Sequence, residues 1–505
     1  MFNNPEFLRN ARLNLRPGKM LTTAGIAVTL SLVIGFSLNH LQGVSADGPR
    51  GWGLYLVRSL LWLQALILAA GGGIACVNAI YREKDQNTFD FQRVTRLSPL
   101  ELTLGKLFGA PIFMYFLCLC FVPLVIFAAL KGHSDLLSVL IAYVLLFIGS
   151  LVVHSFALLV SLLTTRGSHT AAIMLILVAL WVFSNIFTLT GNYLQLSSLS
   201  PFHAAEYVSR PVSIFGSTST ALMDTFFTHE VKHVAVFIIL NLCLVAWFFL
   251  ALARNIKRDP NQYDLYSPLQ SFGIIAFINF VLLAFVNWQS APLMDIQGAL
   301  LTINGIVIGT VGIAQLRNRD RTRRILRAEN NASRAWMNLS WPAPFMILAT
   351  IAASVVISVA AGMARNPLTE WSTAFNIFRS IFFAVWVVRD TQFLQWMSLQ
   401  RGKRPLFRGV LYLLVFYAFS WALLSGFSAF RDADRTPFTA FLLPTPIYYL
   451  DHGSWSLRPA IWGAAFVAQW LLVALFIFLQ QKAIAELAHP SGTESTSPTA
   501  VATVS

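Results

Sequence analysis

Three sets of residues in this chain stand in patterns that can do chemistry. The first is His229-Glu230-Val231-Lys232-His233. On a helix, H-E-x-x-H sets two imidazoles one turn apart with a carboxylate beside them, the ligand-and-base arrangement of a zinc metalloprotease. Such a site needs a third ligand, and no Asp or Glu occurs between this run and Asp259. The plainer reading is a pair of histidines at a membrane interface. The second set is the polar stretch from Arg82 to Lys106, which reads REKDQNTFDFQRVTRLSPLELTLGK. It is too polar for burial in lipid and too patterned for a simple linker. Phe89, Val94 and Leu97 can form an apolar stripe on a short helix flanked by charges. Such a helix can dock in a groove of a soluble partner, the alternative being an ordinary solvated loop. Ser98-Pro99 restarts the chain as a helix, with Glu101 near its positive N-terminus. The third set is His154, Asn185, Asn304 and Arg379, polar residues inside apolar runs and candidates for a substrate pathway. Helix-packing hydrogen bonds, or snorkelling for Arg379, are the plainer readings. No G-x-x-x-x-G-K-[ST] loop occurs, so no stretch of this chain is built to cradle ATP phosphates.

The elements that position these residues follow from composition. Of 505 residues, 56% are hydrophobic and 11% charged, against about a quarter charged in soluble domains. Mean hydropathy is +0.64. There are too few polar residues to cover soluble domains, whereas in lipid the outer surface must be apolar. The class expected is an all-α, polytopic membrane protein. The net charge of +14 raises nucleic acid as a partner. Lys and Arg concentrate in cytoplasmic loops of membrane proteins, which explains the excess better. Cys76, Cys118, Cys120 and Cys243 all lie in apolar runs and read as small core residues.

Runs of about 20 apolar residues mark spanning helices. Twelve are expected, at 21–38, 56–81, 108–130, 136–164, 171–190, 234–253, 272–288, 298–316, 344–363, 373–396, 410–430 and 460–480. With both termini inside, 26 of the 36 Lys and Arg fall on inside segments and nine on outside ones, Arg379 lying within a span. Arg389 counts with the inside segments in this map. The bias is the one the positive-inside rule demands. The halves repeat a layout, each with a basic inside loop after its second span and a long outside segment before its last. Residues 1–262 form the first six-span unit, 263–488 the second, and the Ser/Thr-rich 489–505 a disordered cytoplasmic tail. Before the first span, Asn4 and Pro5 start an interfacial helix with Phe7, Leu8, Ala11 and Leu15 on one face and Arg9, Arg12 and Arg16 on the other. A signal peptide cleaved near Val44-Ser45-Ala46 is the alternative.

The 82–106 stretch resembles the inside loop of type-2 ATP-binding-cassette (ABC) exporter permeases. That loop carries E-x-G-T, then T-P-L-S-x-x-E, then G-K entering the next span. The matches here are Glu83, Thr88, Thr95, Leu97, Ser98, Glu101, Gly105 and Lys106. Asn87 stands where the family prefers Gly, and Arg96 where it prefers Pro. The family's interfacial helix and its long outside segment before the sixth span are matched in layout. The second half resembles the family in topology alone. The resemblance implies a coupling helix in which Glu83, Thr88, Phe89, Thr95, Leu97, Ser98, Glu101 and Lys106 engage a separate ABC ATPase, expected in two copies. ATP and Mg would be bound by that partner. The chain itself would be a transport subunit, not an enzyme, with no cofactor of its own. It would export a substrate across the cytoplasmic (inner) membrane, its other partners being membrane lipid and the transported substrate, with no nucleic acid. A secondary transporter shares the two-half plan. Its spans should hold coupling carboxylates, of which Asp390 is the nearest case, and the loop pattern G-x-x-x-D-x-x-G-R-R is absent.

The charge map is testable. A cysteine introduced at Ser197 is expected to react with an impermeant reagent on intact cells, and one at Asn330 is not. The reverse labelling rejects the map.

Overall fold

A computed structural model describes residues 4–41, 48–163, 223–226, 229–258, 268–284, 370–401, 405–428 and 459–488, and residues 301–328 with gaps. The described residues are almost all helical. The exception is a hairpin in which β1 (Met223–Phe226) pairs antiparallel with β2 (His229–Lys232), from Met223 opposite Lys232 to Phe226 opposite His229. The expected spans at 171–190 and 344–363, Asn185, and the 489–505 tail lie outside the described residues.

Contacts divide the chain into two compact units, one of Met1–Leu265 with Ala284–Asn287, the other of Tyr266–Leu283 with Trp288–Ser505. In the first, α1 (Pro5–Asn14) is followed by α2 (Pro17–Leu41), α3 (Gly48–Leu66), a π-helix (Ile67–Gly72) and α4 (Gly73–Asp85). Then come α5 (Phe89–Val94), α6 (Pro99–Gly109), α7 (Ile112–Lys131), α8 (Leu136–Leu163) and α9 (His233–Asn255). The second half contains α10 (Pro268–Ala284), α11 (Arg319–Ala328), α12 (Glu370–Ser398), α13 (Pro405–Ser428) and α14 (Pro459–Ala488).

Six described helices are long and apolar enough to cross a membrane: Pro17–Leu38, Gly51–Asp85, Ile112–Lys131, Leu136–Leu163, Val234–Asn255 and Trp462–Leu487. Their outer faces carry Ile26, Leu32 and Phe36 on α2, Leu119 on α7, Leu140 on α8 and Phe478 on α14, all exposed. Apolar surface of this extent does not suit contact with water. In lipid it is the required surface, because there only the backbone must be satisfied internally. The chain is therefore a helical, membrane-embedded protein.

The first unit's core lies between α3, α7 and α8, where Val57, Leu60, Leu61, Phe121, Val125, Ala142 and Leu145 are buried. Small residues let the backbones close up. A Cβ at Gly53 would overlap the Gly132 backbone, so α3 passes the end of α7 at a distance only glycine permits. The π-helix interrupts the second spanning segment. A π turn leaves a carbonyl without its usual i+4 partner. Here the Leu68 carbonyl accepts from His154 Nε2 at 2.9 Å, and His154 Nδ1 lies 2.9 Å from the Tyr115 hydroxyl. A carbonyl only accepts, so Nε2 carries the proton and Nδ1 accepts from the tyrosine. His154 thus pins α8 to the π turn and α7, and Gly72 leaves room for its ring.

Substituting Gly72→Ala would push a methyl into the His154 ring. Overpacking of this kind costs about 1–3 kcal/mol. Thermal unfolding in detergent should place this variant clearly below wild type. Gly25→Ala, with nothing within 4 Å of the added carbon, should unfold like wild type.

Candidate functional site

The 82–106 stretch is held at both ends by local chemistry. α4 ends with the Thr88 N–H on the Glu83 carbonyl (2.9 Å) and the Asn87 N–H on the Lys84 carbonyl (3.3 Å). This is a Schellman closure, which puts the residue after the cap in the left-handed region. Asn87 sits there, at φ 56°. Asn and Gly are the residues that adopt it at low cost, so Asn87 keeps the turn that a glycine would make. At the other end Ser98 caps α6. Its Oγ accepts from the Glu101 N–H (3.2 Å), and its own N–H donates to Glu101 Oε2 (2.8 Å), with Pro99 in the first turn. This N–H holds the exposed Glu101 carboxyl below its ordinary pKa.

Between these ends lies a buried charge cluster. Lys106 has no exposed surface, and its Nζ donates to Glu83 Oε2 (2.5 Å) and Glu6 Oε1 (3.0 Å). Arg9 Nη2 bridges the same carboxylates, at 2.5 Å from Glu83 Oε1 and 2.8 Å from Glu6 Oε1. Gln92 Nε2 donates to Glu83 Oε1 (2.7 Å), and Asn10 Nδ2 to Glu6 (3.2 Å). Two carboxylates face two cations, so the cluster is neutral. Burial disfavours the ionised Glu6, but the Lys106 and Arg9 charges outweigh it and hold its carboxyl below the ordinary value. α1 reaches the cluster because its N-terminus is fixed. Asn4 Oδ1 accepts from the Glu6 and Phe7 N–H groups, and Asn4 Nδ2 donates to the Glu101 carbonyl (2.6 Å). Gly105 faces Asn4 and Glu6, and Gly109 faces Asn10, where side chains would collide.

This geometry corrects the sequence reading in two places. Glu83 is not in a solvated loop; it is the buried last-turn carboxylate of α4. Phe89 does not share an outward docking stripe with Val94 either. It is 3% exposed, with Arg93 Cζ 4.9 Å from its ring centre and Lys84 Nζ at 5.9 Å. Lys84 also donates to the Ser161 and Leu162 carbonyls at the end of α8 (2.8 and 2.6 Å). The outward apolar residues of α5 are Phe91 (73% exposed) and Val94 (81%). Leu97 is half-buried, and Thr88, Thr95, Ser98 and Glu101 are exposed. Lys257, after α9, donates to the Thr95 carbonyl (2.8 Å). The partners missed by the sequence reading, Glu6, Arg9 and Asn10, lie on α1, where Arg9 read only as part of the basic face of an interfacial helix.

The other candidates are scattered. His154 is buried between α7 and the π turn, as described, and Asn304 is buried in a helical segment. Arg379 is on α12, its side chain outside the described atoms. His229 and Glu230 lie on β2 and His233 begins α9, so the helical turn that an H-E-x-x-H zinc site needs is not formed. A cluster that sequence reasoning missed lies in the second unit. Arg389, counted with an inside segment, is buried on α12. Its Nε donates to Asp390 Oδ1 (2.8 Å), Nη1 to Gln469 Oε1 of α14 (2.8 Å) and Nη2 to the Tyr417 hydroxyl of α13 (3.0 Å). Tyr417 in turn donates to Asp390 Oδ2, and Arg389 Cζ lies 3.9 Å from the Trp386 ring centre. The adjacent Arg-Asp pair within an apolar run was the available signal.

No family model, no curated protein and no solved structure matches this chain.

Removing one partner of a buried ion pair leaves the other bare, at a cost of about 3–5 kcal/mol. Glu83→Ala is therefore expected to lower detergent stability severely, Ser98→Ala by about 1 kcal/mol. Near-equal unfolding temperatures for the two would reject the cluster. The pH dependence has a sign: Glu6, lowered in the folded state, contributes stability that is present above its ordinary value of 4.5 and lost as pH falls through its lower folded pKa. Glu6→Gln should flatten that acid limb.

Proposed function

We propose that this chain is the membrane-spanning permease subunit of an ATP-driven exporter whose ATPase is a separate polypeptide. In this reading twelve spans form two six-span halves in the cytoplasmic membrane, with both termini on the cytoplasmic side. The observation that carries it is α5, a helix of six residues outside the apolar spans. It is anchored by Phe89 and Arg93 and presents Phe91 and Val94 outward. A short, fixed helix with two exposed apolar side chains is suited to a groove on a soluble partner. A few such anchors carry most of an interface's energy. Its supports reach α4, α6 and the end of α8, so a displacement of α5 has a path into the spans. The ATPase would bind ATP and Mg.

A secondary transporter is the second reading, favoured by Asp390, a carboxylate on an apolar helix that shares a hydrogen-bonded cluster with Arg389 and Tyr417.

Phe91→Ala with Val94→Ala is expected to leave detergent stability near wild type, since surface changes stay within about 0.5 kcal/mol. The same double variant should lose co-purification with the ATPase, or uncouple ATP hydrolysis from export in reconstituted vesicles. Phe89→Ala should instead lower stability by about 3–5 kcal/mol. Normal coupling in the double variant, or transport by the purified chain without an ATPase, favours the secondary transporter.

A further inference from the structure

A second surface helix differs from α5 in chemistry. α11, RDRTRRILRA, holds five arginines and one aspartate in ten residues. At 100° per residue, Arg319, Arg323 and Arg327 fall on one stripe that runs from Arg319, half-buried next to Thr322, through half-buried Arg323 to the open side at Arg327. Thr322 is buried and Arg327 exposed, which fixes the buried and open sides. α11 packs against α14. Its start is tied to the C-terminal end of α12. Arg317 N–H donates to Gln395 Oε1 (3.0 Å), and the Arg317 carbonyl accepts from Gln395 Nε2 (3.1 Å) and Ser398 Oγ (2.9 Å). The C-terminal part of α14 lies at the same level, since Gln480 Nε2 donates to the Gln392 carbonyl (2.8 Å). Arg408 is also here, because its neighbour Gly409 packs on Leu394 and Met397. The basic stripe therefore lies beside the ends of long apolar helices, one of which is a membrane-crossing candidate.

We propose that the Arg319–Arg323–Arg327 stripe of α11 binds the phosphate headgroups of anionic lipids in the membrane that holds the chain. Charge complementarity carries the choice. Five arginines against one acidic residue suit a layer of phosphates, and clusters of four to eight cations next to a span are the composition that binds anionic leaflets. Arginine matches a phosphate with two parallel N–H donors. A protein groove is the poorer fit: among the described residues of α11 no apolar side chain is exposed to anchor it, whereas α5 has Phe91 and Val94. The proposal is independent of any ATPase partner and rests on the membrane setting alone.

The test uses the full chain in neutral detergent, titrated with short-chain phosphatidylglycerol or short-chain phosphatidylcholine and followed by calorimetry. Wild type is expected to bind phosphatidylglycerol the more tightly, with affinity falling as salt rises. Arg319→Gln with Arg323→Gln and Arg327→Gln should weaken that affinity by about fivefold per arginine removed, and the matching triple Lys variant should keep most of it. Equal binding of the two lipids by wild type, salt-independent binding, or wild-type affinity in the glutamine variant overturns the proposal. So does a lysine variant as weak as the glutamine one. If the glutamine variant keeps its lipid affinity but loses a co-purifying acidic protein, the stripe belongs to that protein and the proposal falls. The salt dependence of the wild type and the lysine variant keep the test decisive if the glutamine variant is unstable.

Discussion

Lys106 sets the constraint on which the first unit's polar end depends. An ammonium with no exposed surface carries a desolvation cost of several kcal/mol unless it is paired and hydrogen-bonded. Glu83 and Glu6 supply the pairing, but two carboxylates on one ammonium would leave a net negative charge. Arg9 removes it, bonding to both. The four charges sit on three helices: Glu6 and Arg9 on α1, Glu83 on α4, Lys106 on α6. Parting α4 from α6 would strand Glu83 and Lys106 in a region short of water, and losing α1 would strip each of a second charged partner. The N-terminal helix is therefore a structural member of the unit. Its hold on α6 also explains Gly105 and Gly109, since any side chain there would lift α1 away from the ammonium.

The cluster's consequence is a loop with little freedom. The turn at Asn87 and the cap at Ser98 fix the chain's direction at each end, and Gln92 ties the middle of α5 to Glu83. Helical spacing then decides which side chains face in. Phe89 and Arg93, four residues apart, lie inward, so Phe91 and Val94 must lie outward. Force on α5 has two routes inward. Through Gln92 and Glu83 it reaches α4 and α6, and through Phe89 and Lys84 it reaches the last carbonyls of α8. A rigid loop transmits displacement where a flexible one would absorb it.

How much of this was legible in the sequence follows from what each feature depends on. The described spans follow from runs of apolar residues, and both caps from local residue order: Asn4-Pro5 and Ser98-Pro99 with Glu101. Those are short-range rules. The burial of Glu83 is not, because its partners stand 74 and 23 residues away and no periodicity links them. Phe89 and Phe91 were indistinguishable in a helix of six residues, where a hydrophobic stripe has too few members to fix its phase. Arg389 was misplaced for a related reason. A charge in an apolar run reads as the end of the run, when here its neighbour Asp390 and two residues from other helices make burial tolerable. The H-E-x-x-H run depended on a helix that did not form, since the backbone of His229–Lys232 pairs with Met223–Phe226 instead.

The two charge clusters solve the same problem with different freedom to move. In the first unit the two most buried charges, Glu83 and Lys106, lie on different helices, so separating α4 from α6 exposes bare charges. In the second, Arg389 is neutralised chiefly by the adjacent Asp390 of its own helix, and only neutral groups, Gln469 and Tyr417, bond it to α14 and α13. Parting α12 from those neighbours costs hydrogen bonds to a charged group, about 1.5–3 kcal/mol each, and separates no pair of opposite charges. The ion pair travels with the helix. The first arrangement, an ion pair shared between helices, holds those helices together. The second suits helices that slide against one another within a unit, because the charge is never left without its counter-ion.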